Sequence, residues 1–465
     1  MVRFQKTLLL LALAVLMAAC ATFYQKTYQV QSSIASGQFE KADKLLANDN
    51  KWAENNHRVL YYMNRGVVSF MMNDYEESIN FLNKADHYIE DYSKQFGWET
   101  LSLISNPMVK PYQPEDFEAV MVHFYKALDF LALNDYEGAL VEARRVNIRL
   151  QEINDKFKDH KNKYQRDAFA HNLMGMIYDA AGDYNNAFIA YRNALEIYET
   201  DYRELFNLEA PLQLKKDLLR TARQTGFSDQ VRFYENKFGM KAPEQLKENE
   251  GELVLFWLNG MGPVKEEWQI TITNFGMSGG VVSLGNSELG LNFAYPASNL
   301  SAREKAAFKN LSFLRVAFPK YRERPPVFSR GQAQISGKEI QFQEAQNINQ
   351  IAFQSLRDRM IRELGNSLLR LTTKRAMEEL ASRENENLGT IVSIINAMTE
   401  KADTRNWQSL PYSISYVRIP LAAGQQTINL QFSGHQSTQN QISVNIRSGK
   451  TSFRTYHTMT STSFN

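Results

Sequence analysis

Residues 175–194 read GMIYDAAGDYNNAFIAYRNA and decide the fold of the first half of the chain. Small and aromatic residues recur there every three or four positions on both sides of Gly182 and Asp183. This spacing places them on one face of each of two helices, and the small residues let the two backbones approach. The stretch therefore predicts an antiparallel helix pair in which Gly182 adopts a positive φ and Asp183 caps the second helix.

The same pattern recurs between about residues 24 and 240. An aromatic residue opens each predicted second helix, at Phe39, Tyr75, Tyr136 and Tyr184. Two residues before each of these, Gly37, Asn73, Asn134 and Gly182 are the types that adopt positive φ most readily. The positions predicted to pack the repeats are Gly66, Tyr75, Ala127, Tyr136, Gly175, Tyr178, Tyr184, Ala187 and Ala194.

These positions resemble those of the tetratricopeptide repeat, a helix pair of about 34 residues that stacks into a curved solenoid. The aromatic anchors are 36, 61 and 48 residues apart, so the two later intervals exceed that period. We therefore expect two insertions, a proline-containing loop over about residues 95–116 and a prolonged helix over Gln151–Asp167. A fifth pair around Leu218–Tyr234 would close the stack.

The sequence changes character near residues 240–250, where strand patterns replace the repeats. Four segments are typical of strands: Leu253–Leu258, Trp268–Thr273, Ser413–Ile419 and Thr427–Phe432. We expect the last two to form a hairpin through Ala422–Gln425. Apolar residues at intervals of three and four predict a long amphipathic helix over Phe353–Leu380, with a second over Asn387–Lys401.

The predicted fold class is therefore α+β with several domains. Residues 21–245 are expected to form an all-α tetratricopeptide-like solenoid, and residues 246–465 an antiparallel sheet packed with long helices. Residues 1–20 are typical of a secretory signal peptide, with Arg3 and Lys6 ahead of a short apolar run.

Leu16–Cys20 resembles the lipobox of bacterial lipoproteins, in which the chain is cut before a cysteine that is acylated. That resemblance implies a lipid anchor at Cys20, and three acyl chains would exceed the two signals that stable anchoring needs. Cys20 is the single cysteine of the chain, so an internal disulfide is excluded. Ala21, where inner-membrane lipoproteins tend to carry Asp, favours the periplasmic side of the outer membrane.

Charge excludes one class of partner. The chain has 53 Lys and Arg against 51 Asp and Glu, and two of the basic residues lie in the leader, so the mature chain is formally neutral. Nucleic-acid binding, which needs a clustered basic surface, is therefore not expected.

Two blocks, ELVLFWLNGMGPVK at residues 252–265 and ADTRNWQSLP at residues 402–411, extend the resemblance. They are similar to stretches of an uncharacterised family of tetratricopeptide-repeat-containing bacterial outer-membrane lipoproteins. The resemblance covers most of the mature chain and implies its architecture, but the family supplies no reaction.

Three groups of residues could carry chemistry. Residues 276–280 fit the GxSxG pattern around Ser278, with Asp403 and His435 or His457 downstream in the order of a hydrolase triad. That pattern needs a turn into a helix, whereas residues 281–286 are typical of a strand and turn, so a flexible loop is favoured.

His123 and His171 occupy equivalent repeat positions and could bridge a metal, although packing at a shared position accounts for both. Asp403, Arg405 and Trp407 could clamp an anionic ligand with Arg405 stacked on the indole. The alternative is a joint in which Arg405 pairs with Asp403 and Trp407 fills the sheet. We expect no metal and no cofactor.

The leading hypothesis is a non-enzymatic, membrane-anchored periplasmic scaffold that binds an envelope protein or peptide in the groove of its repeats. A second is an accessory factor for cell-wall synthesis or outer-membrane export, whose C-terminal domain binds peptidoglycan or an assembly subunit. A third is a serine hydrolase using Ser278.

Overall fold

The computed structural model describes residues 23–48, 56–96, 111–156, 163–287, 291–302, 305, 313–335, 337–360 and 402–462. Its helices are α1 (Phe23–Ala35), α2 (Phe39–Asn48), α3 (Arg58–Met71), α4 (Tyr75–Phe96), α5 (Asp116–Ala132), α6 (Tyr136–Lys156), α7 (Ala168–Ala180), α8 (Tyr184–Ile197), α9 (Arg203–Phe206), α10 (Leu212–Gln224) and α11 (Ser228–Phe238). Successive helices pack as pairs, α1 with α2 through α7 with α8, and α10 with α11 forms the fifth pair. The first half is thus a tetratricopeptide-like stack of helical hairpins.

The turns inside the pairs have the geometry that the sequence predicts. Asn73 and Asn134 have φ of 64° and 60°, and Gly37 and Gly182 have 72° and 83°. Asp caps follow three of these turns, and each carboxylate accepts a backbone N–H three residues on. The Asp135 Oδ1 to Gly138 N distance is 2.9 Å and the Asp183 Oδ1 to Asn186 N distance is 3.2 Å. These caps satisfy N–H groups that the first helical turn leaves unpaired.

Small residues bring the two helices of a pair into contact. A Cβ atom added to Gly175 would lie 2.4 Å from the ring of Tyr191, and one added to Gly66 would lie 2.6 Å from Leu82. Ala127, Ala187 and Ala194 are fully buried. Neither glycine has a positive φ, so both are required by close approach of the helices and not by backbone conformation.

The two predicted insertions are partly described. The helix predicted over Gln151–Asp167 is present only as far as Lys156, where α6 ends; residues 157–162 lie outside the described part, and residues 163–167 are not helical. The predicted loop is described only at its ends, with α4 reaching Phe96 and an irregular stretch over residues 111–115. After α8, a π-helical segment over Tyr198–Tyr202 continues the helix into α9.

The second half contains strands β1 (Glu250–Asn259), β2 (Val264–Ser278), β3 (Val281–Asn286), β4 (Leu291–Pro296), β5 (Phe313–Arg322), β6 (Phe328–Ile335), β7 (Lys338–Gln341), β8 (Gln343–Asn347), β9 (Ser413–Ala422), β10 (Gly424–Gly434), β11 (Ser437–Ile446) and β12 (Thr451–Thr458). They form a central sheet in the order β12-β1-β9-β8, an outer sheet in the order β11-β10-β6-β7 and a third sheet in the order β4-β3-β2-β5. Helix α12, over residues 348–360, follows β8.

This arrangement differs from the predicted single antiparallel sheet covered by long helices. The described strands form three sheets, and β1 and β12 are parallel, from Glu252 opposite Thr451 to Asn259 opposite Thr458. The central sheet is covered by the helical repeats on one face and by the outer sheet on the other. Of the two predicted long helices, only residues 353–360 of the first fall in the described part, inside α12; residues 361–401 lie outside it.

The predicted hairpin between residues 413–419 and 427–432 is also wrong, although both strands are present. Strand β9 pairs with β1 and β8, whereas β10 pairs with β6 and β11. The chain turns from one sheet to the other at Gly424, whose φ of 107° suits a glycine. Both edges of β9 are already occupied, so β10 cannot pair with it.

Strand β1 shows why the sheet and helices form one core. Its alternate residues Val254, Phe256 and Leu258 pack against the helices, and Leu253, Leu255 and Trp257 pack against the outer sheet. Burial on both faces explains its unbroken apolar run. Because the same core runs from the helices into β1, the division at residue 245 stays a prediction; α11 ends at Phe238 and β1 begins at Glu250.

We expect Gly175→Ala to lower the free energy of unfolding by roughly 1–3 kcal/mol, because the new methyl group overlaps the ring of Tyr191. Urea denaturation followed by circular dichroism measures the change. The control is Asn185→Ala, at an exposed position of the neighbouring helix, which should change stability by less than about 0.5 kcal/mol. Equal stability of the two variants would contradict the close packing of α7 on α8.

Candidate functional site

The first helices of the five pairs share one face, and residues of the second half cover it. Each of these helices makes a polar contact there. We call this series of contacts the first-helix ladder: Thr27 Oγ1 to Gln408 Oε1 at 2.9 Å, Ser409 Oγ to Asn64 Oδ1 at 2.8 Å, Trp407 N to Glu118 Oε1 at 2.7 Å, Asn172 Nδ2 to Tyr416 Oη at 3.1 Å, and Arg418 Nε to Asp217 Oδ1 at 3.1 Å. The ladder runs from α1 to α10 along residues 407–418. The groove in which a partner was expected is therefore filled, over its described length, by the chain itself.

Trp407 lies at the middle of the ladder and is almost completely buried. Its ring centroid lies 5.9 Å from that of Tyr125 on α5, so the indole packs on the repeats and does not fill the sheet as predicted. Phe169 on α7 extends this apolar contact to Phe256 and Tyr416 of the central sheet. Aromatic side chains thus fill the space between the polar contacts.

Asp403 and Arg405 form a bidentate ion pair just ahead of Trp407. The distances are 2.9 Å from Arg405 Nε to Asp403 Oδ1 and 2.7 Å from Nη2 to Oδ2. Burial alone would raise the pKa of Asp403, but the Arg405 guanidinium outweighs it and holds that pKa below its usual value. Arg405 Nη1 also donates to the carbonyl of Asn56, and the guanidinium lies over the ring of Tyr112 and not over the indole. This is the geometry of the joint, since protein groups already occupy the donors that an anionic ligand would need.

A buried charge cluster lies beside this joint, at the start of α5. Lys265 on β2 and Arg359 on α12 both pair with the carboxylate of Glu115, and the Arg359 Nη1 to Oε1 distance is 2.6 Å. These two cations outweigh burial and lower the pKa of Glu115 to about 2. Glu118 accepts from Trp407 N, from Tyr112 Oη and, at 3.0 Å, from the backbone N of Glu115. Burial raises the pKa of Glu118 to about 7, because neither the nearby Lys265, which pairs with Glu115, nor these hydrogen bonds offset the loss of solvent.

A second buried cluster ties the last repeats to the central sheet. Arg418 on β9 contacts three carboxylates, at 2.6 Å to Glu252 Oε2, 3.0 Å to Asp179 Oδ2 and 3.1 Å to Asp217 Oδ1. Arg220 on α10 pairs with Asp179 and Asp217. Three carboxylates therefore share two guanidiniums in a region almost without solvent. Removing one partner from such a cluster leaves uncompensated buried charge.

The GxSxG segment does not form a nucleophile elbow. Ser278 is exposed at the end of β2, and Gly279 and Gly280 form a two-residue hairpin turn into β3, so no helix follows. Asp403 is paired with Arg405, and His435 is exposed. The ring of His457 packs on Phe39 and Phe70, where burial lowers its pKa to about 4. These environments do not assemble the serine, histidine and aspartate of a triad.

The two equivalent histidines have different surroundings. His123 Nδ1 lies 2.8 Å from Glu142 Oε2, within a cluster that also contains Lys126 and Asp86. His171 is largely buried, which lowers its pKa, and its Nδ1 has no hydrogen-bond partner. Among the described residues, no group of three or more His, Cys, Asp and Glu side chains is arranged to hold a metal ion.

Several residues of the site escaped sequence analysis: Glu118, Asp217, Lys265, Arg324 and Arg418. Arg324 is fully buried and donates to the backbone carbonyls of Gly262 and Gln408, at 2.6 Å each. A signal was present, because Glu118 sits among apolar residues of α5 and Arg418 interrupts the apolar run of β9. A charge inside a buried pattern indicates a buried partner of opposite sign.

Comparison with known proteins agrees with the repeat geometry. Residues 170–201 match the tetratricopeptide repeat family. The chain contains a tetratricopeptide repeat. No curated protein sequence matches it, and no helix in the described part is long and apolar enough to cross a bilayer.

Three solved structures are similar to this chain over about half of its length. The crystal structure of MamA is 15% identical with a TM-score of 0.30, over 47% of this chain and 92% of that one. BtubC (BKLC) from P. vanneervenii is 14% identical with a TM-score of 0.32, over 47% and 81%. Rap protein complexed with Competence and Sporulation Factor is 14% identical with a TM-score of 0.31, over 48% and 56%, so the chain spans about half of that protein.

We expect Arg418→Met to lower the free energy of unfolding by about 3–5 kcal/mol, because Asp217 and Glu252 then lose a cation that they contact. The control is Arg454→Met at an exposed position of β12 in the same sheet, with an effect below about 0.5 kcal/mol. Urea denaturation at pH 7 measures both variants. A loss for Arg418→Met no larger than that for Arg454→Met would contradict the proposed charge balance.

The raised pKa of Glu118 predicts a dependence of stability on pH. The folded state binds a proton more tightly than the unfolded state, whose pKa is near 4.5, so this residue's contribution falls as pH rises from 4.5 to about 7. Glu118→Gln should remove that fall, and the variant should gain up to about 3 kcal/mol relative to the parent across this interval.

Unfolding free energies of both chains at pH 4.5 to 8 measure the difference. Glu115→Gln is the contrasting variant, because the lowered pKa of Glu115 makes its contribution present above pH 4.5 and lost only toward pH 2. A constant difference between Glu118→Gln and the parent over pH 4.5 to 7 would show that Glu118 is not protonated in this interval.

Proposed function

We propose that the chain is a lipid-anchored scaffold on the periplasmic side of the outer membrane that binds an envelope protein or peptide. The observation that carries this proposal is the stack of tetratricopeptide-like pairs, an architecture whose extended surfaces serve in binding. Leu16–Cys20 supports the anchor through its likeness to a lipobox, and Ala21 supports the outer membrane.

The filled groove directs the partner to another surface of the repeats. The first helices contact residues 407–418 along the ladder, so a partner there would have to displace a buried tryptophan and several hydrogen bonds. Such a displacement would remove the hydrogen bonds that Glu118, Asn64 and Asn172 form with residues 407–416, which disfavours it. We therefore assign binding to the outer face formed by the second helices.

The outer face of α6 has the required chemistry. Val141 and Ile148 are 50% and 54% exposed, and they lie seven residues apart, on the same side of the helix after two turns. Arg144 and Arg145 lie between them, exposed on the same helix. Arg144 donates to Tyr178 Oη and Arg145 Nη1 lies 3.2 Å from Asp86 Oδ2, but both guanidiniums remain partly exposed. The apolar pair beside them fits the apolar face of an amphipathic segment.

The experiment is site-specific photo-crosslinking in cells. A photoreactive residue at Val141 or Ile148 should link to one envelope protein, whereas the same residue at exposed Asn185 on α8 should not. Val141→Asp together with Ile148→Asp should abolish copurification of that protein without loss of fold, because both side chains face solvent. Absence of a specific adduct at both α6 positions would contradict this surface.

Mass analysis of the same purified chain tests the anchor. The expected result is a mature amino terminus at Cys20 carrying acyl groups, while a free thiol or an intact leader would contradict the lipoprotein assignment. The crosslinked adducts and the modification of the amino terminus are measured independently, so a negative result for the partner does not exclude the lipid anchor, and the reverse also holds.

A further inference from the structure

The hairpin formed by β2 and β3 ends in an uncharged apolar tip. Between Trp268 and Ala302, Glu288 is the only charged residue, although 22% of the chain is charged. At the tip, Phe275 is 53% exposed and Met277 is 37% exposed. Phe275 and Met277 take no part in the contacts between the repeats and the central sheet, so those contacts do not explain why apolar side chains are exposed here without charged neighbours in sequence.

The backbone near the tip contains a β-bulge. The pairing of β2 with β3 shifts register between Asn274 and Gly276, so Phe275 is the extra residue of a β-bulge. A bulge re-aims the side chain that it carries. Beyond it, Gly279 and Gly280 have φ of 58° and 79°, which matches a two-residue turn of the kind that closes tight hairpins.

The tip projects into open space. A Cβ atom added to Gly276, Gly279 or Gly280 would meet no heavy atom of the described residues within 4 Å. The backbone is nevertheless well paired, since Met277 and Ser278 lie opposite Val282 and Val281 in the antiparallel pairing of β2 with β3. In addition, Asn274 Oδ1 accepts from Gly276 N at 3.0 Å, and the carbonyl of Gly280 accepts from Ala297 N at 2.7 Å.

These features favour a particular class of partner. Transfer of a segment into a medium of low polarity is costly for charges and for unpaired backbone groups, and the tip is uncharged with its backbone largely paired. A projecting tip with two apolar side chains is too small for a stable protein interface, which buries at least about 1,000 Å². The same two side chains are sufficient to enter the interfacial layer of a bilayer.

Phe233 on α11 gives the contrast. It is 57% exposed, slightly more than Phe275, but Arg232, Glu235 and Lys237 lie next to it on the same helix. Inserting Phe233 into lipid would bring those charges toward the bilayer, whereas the strands that flank Phe275 have no charged residue from Trp268 to Ser287. Exposure alone therefore does not distinguish the hairpin tip, but exposure without charge does.

We propose that the β2–β3 hairpin tip, through Phe275 and Met277, is a membrane-contact site that inserts into the interface of a phospholipid bilayer. Because the tip carries no charge, its binding is independent of anionic lipid and of salt. The contact is separate from acylation of Cys20 and does not depend on it.

Flotation with vesicles of phosphatidylcholine tests this site, using the mature chain from residue 20 with Cys20→Ser so that no acyl chain is present. Phe275→Ser together with Met277→Ser should reduce the vesicle-bound to free ratio on the order of tenfold or more, because two apolar side chains no longer leave water. The control Phe233→Ser should leave that ratio unchanged, and so should 0.5 M salt. Circular dichroism melting should be unchanged in all variants, since the replaced side chains face solvent.

Two results of this experiment would overturn the proposal. One is an equal ratio for the parent and the double variant. The other is binding that needs anionic lipid and is lost in salt. If the parent instead self-associates in sedimentation and the double variant does not, without vesicle binding by either, the tip is an interface between copies and not a membrane contact.

A fluorescent label distinguishes insertion from a change elsewhere. Cys20 is the only cysteine, so Met277→Cys in the Cys20→Ser chain provides a single thiol for an environment-sensitive dye. Its emission should shift to shorter wavelength on addition of phosphatidylcholine vesicles, while the same dye at Phe233→Cys should not shift. Unshifted emission at position 277 would overturn the proposal even if vesicle binding is observed.

Discussion

The burial of β1 on both faces is the constraint on which the rest of the structure depends. Val254, Phe256 and Leu258 need an apolar cover on one side, and Leu253, Leu255 and Trp257 need another on the opposite side. The first-helix face of the repeats provides the first cover and the outer sheet provides the second. Neither half of the chain can therefore expose its central surface without exposing that of the other.

The interface between the first helices and the central sheet cannot be wholly apolar, because the helices carry carboxylates that are buried in it. Glu118, Asp179 and Asp217 lie on first helices, and each is almost completely buried. Arg418 and Arg220 neutralise the last two, so they remain ion-paired at a low solvent content. Lys265 pairs with Glu115 and only partly offsets the burial of Glu118, so the pKa of Glu118 rises while that of Glu115, three residues earlier, falls.

The sequence predicted the local structure of the repeats because local chemistry determines it. Positive φ at Asn73 and Gly182, the Asp caps and the close approach at Gly175 each depend on residues within one helix pair. The strands of the second half were also recognisable, but their pairing was not. The β9–β10 hairpin failed because a turn signal at residues 422–425 does not reveal that both edges of β9 are already paired.

The candidate site was harder to predict for the same reason. Asp403 and Arg405 are two residues apart, so their pairing could be anticipated, whereas Arg418 and Asp217 are two hundred residues apart and meet only when the sheet lies on the repeats. The sequence did mark Arg418 as a charge within an apolar run, whereas Asp217 follows Lys215 and Lys216 and gave no such signal. Such a charge predicts a partner of opposite sign but leaves its position open.

Charged residues are distributed differently at the interface between the repeats and the central sheet and at the β2–β3 hairpin. At that interface, charges are buried in pairs and fix the register of repeats against strands, because a shift of one residue would separate Arg418 from its carboxylates. From Trp268 to Ser287, along the outer part of β2 and through β3, the sequence has no Asp, Glu, Lys or Arg, and Phe275 and Met277 at the hairpin are exposed. Charged residues keep a protein surface soluble in water. An exposed apolar surface without charge therefore lowers solubility unless it contacts an apolar partner. Paired charges therefore hold the repeats against the strands, whereas the uncharged β2–β3 hairpin suits the membrane contact proposed for it.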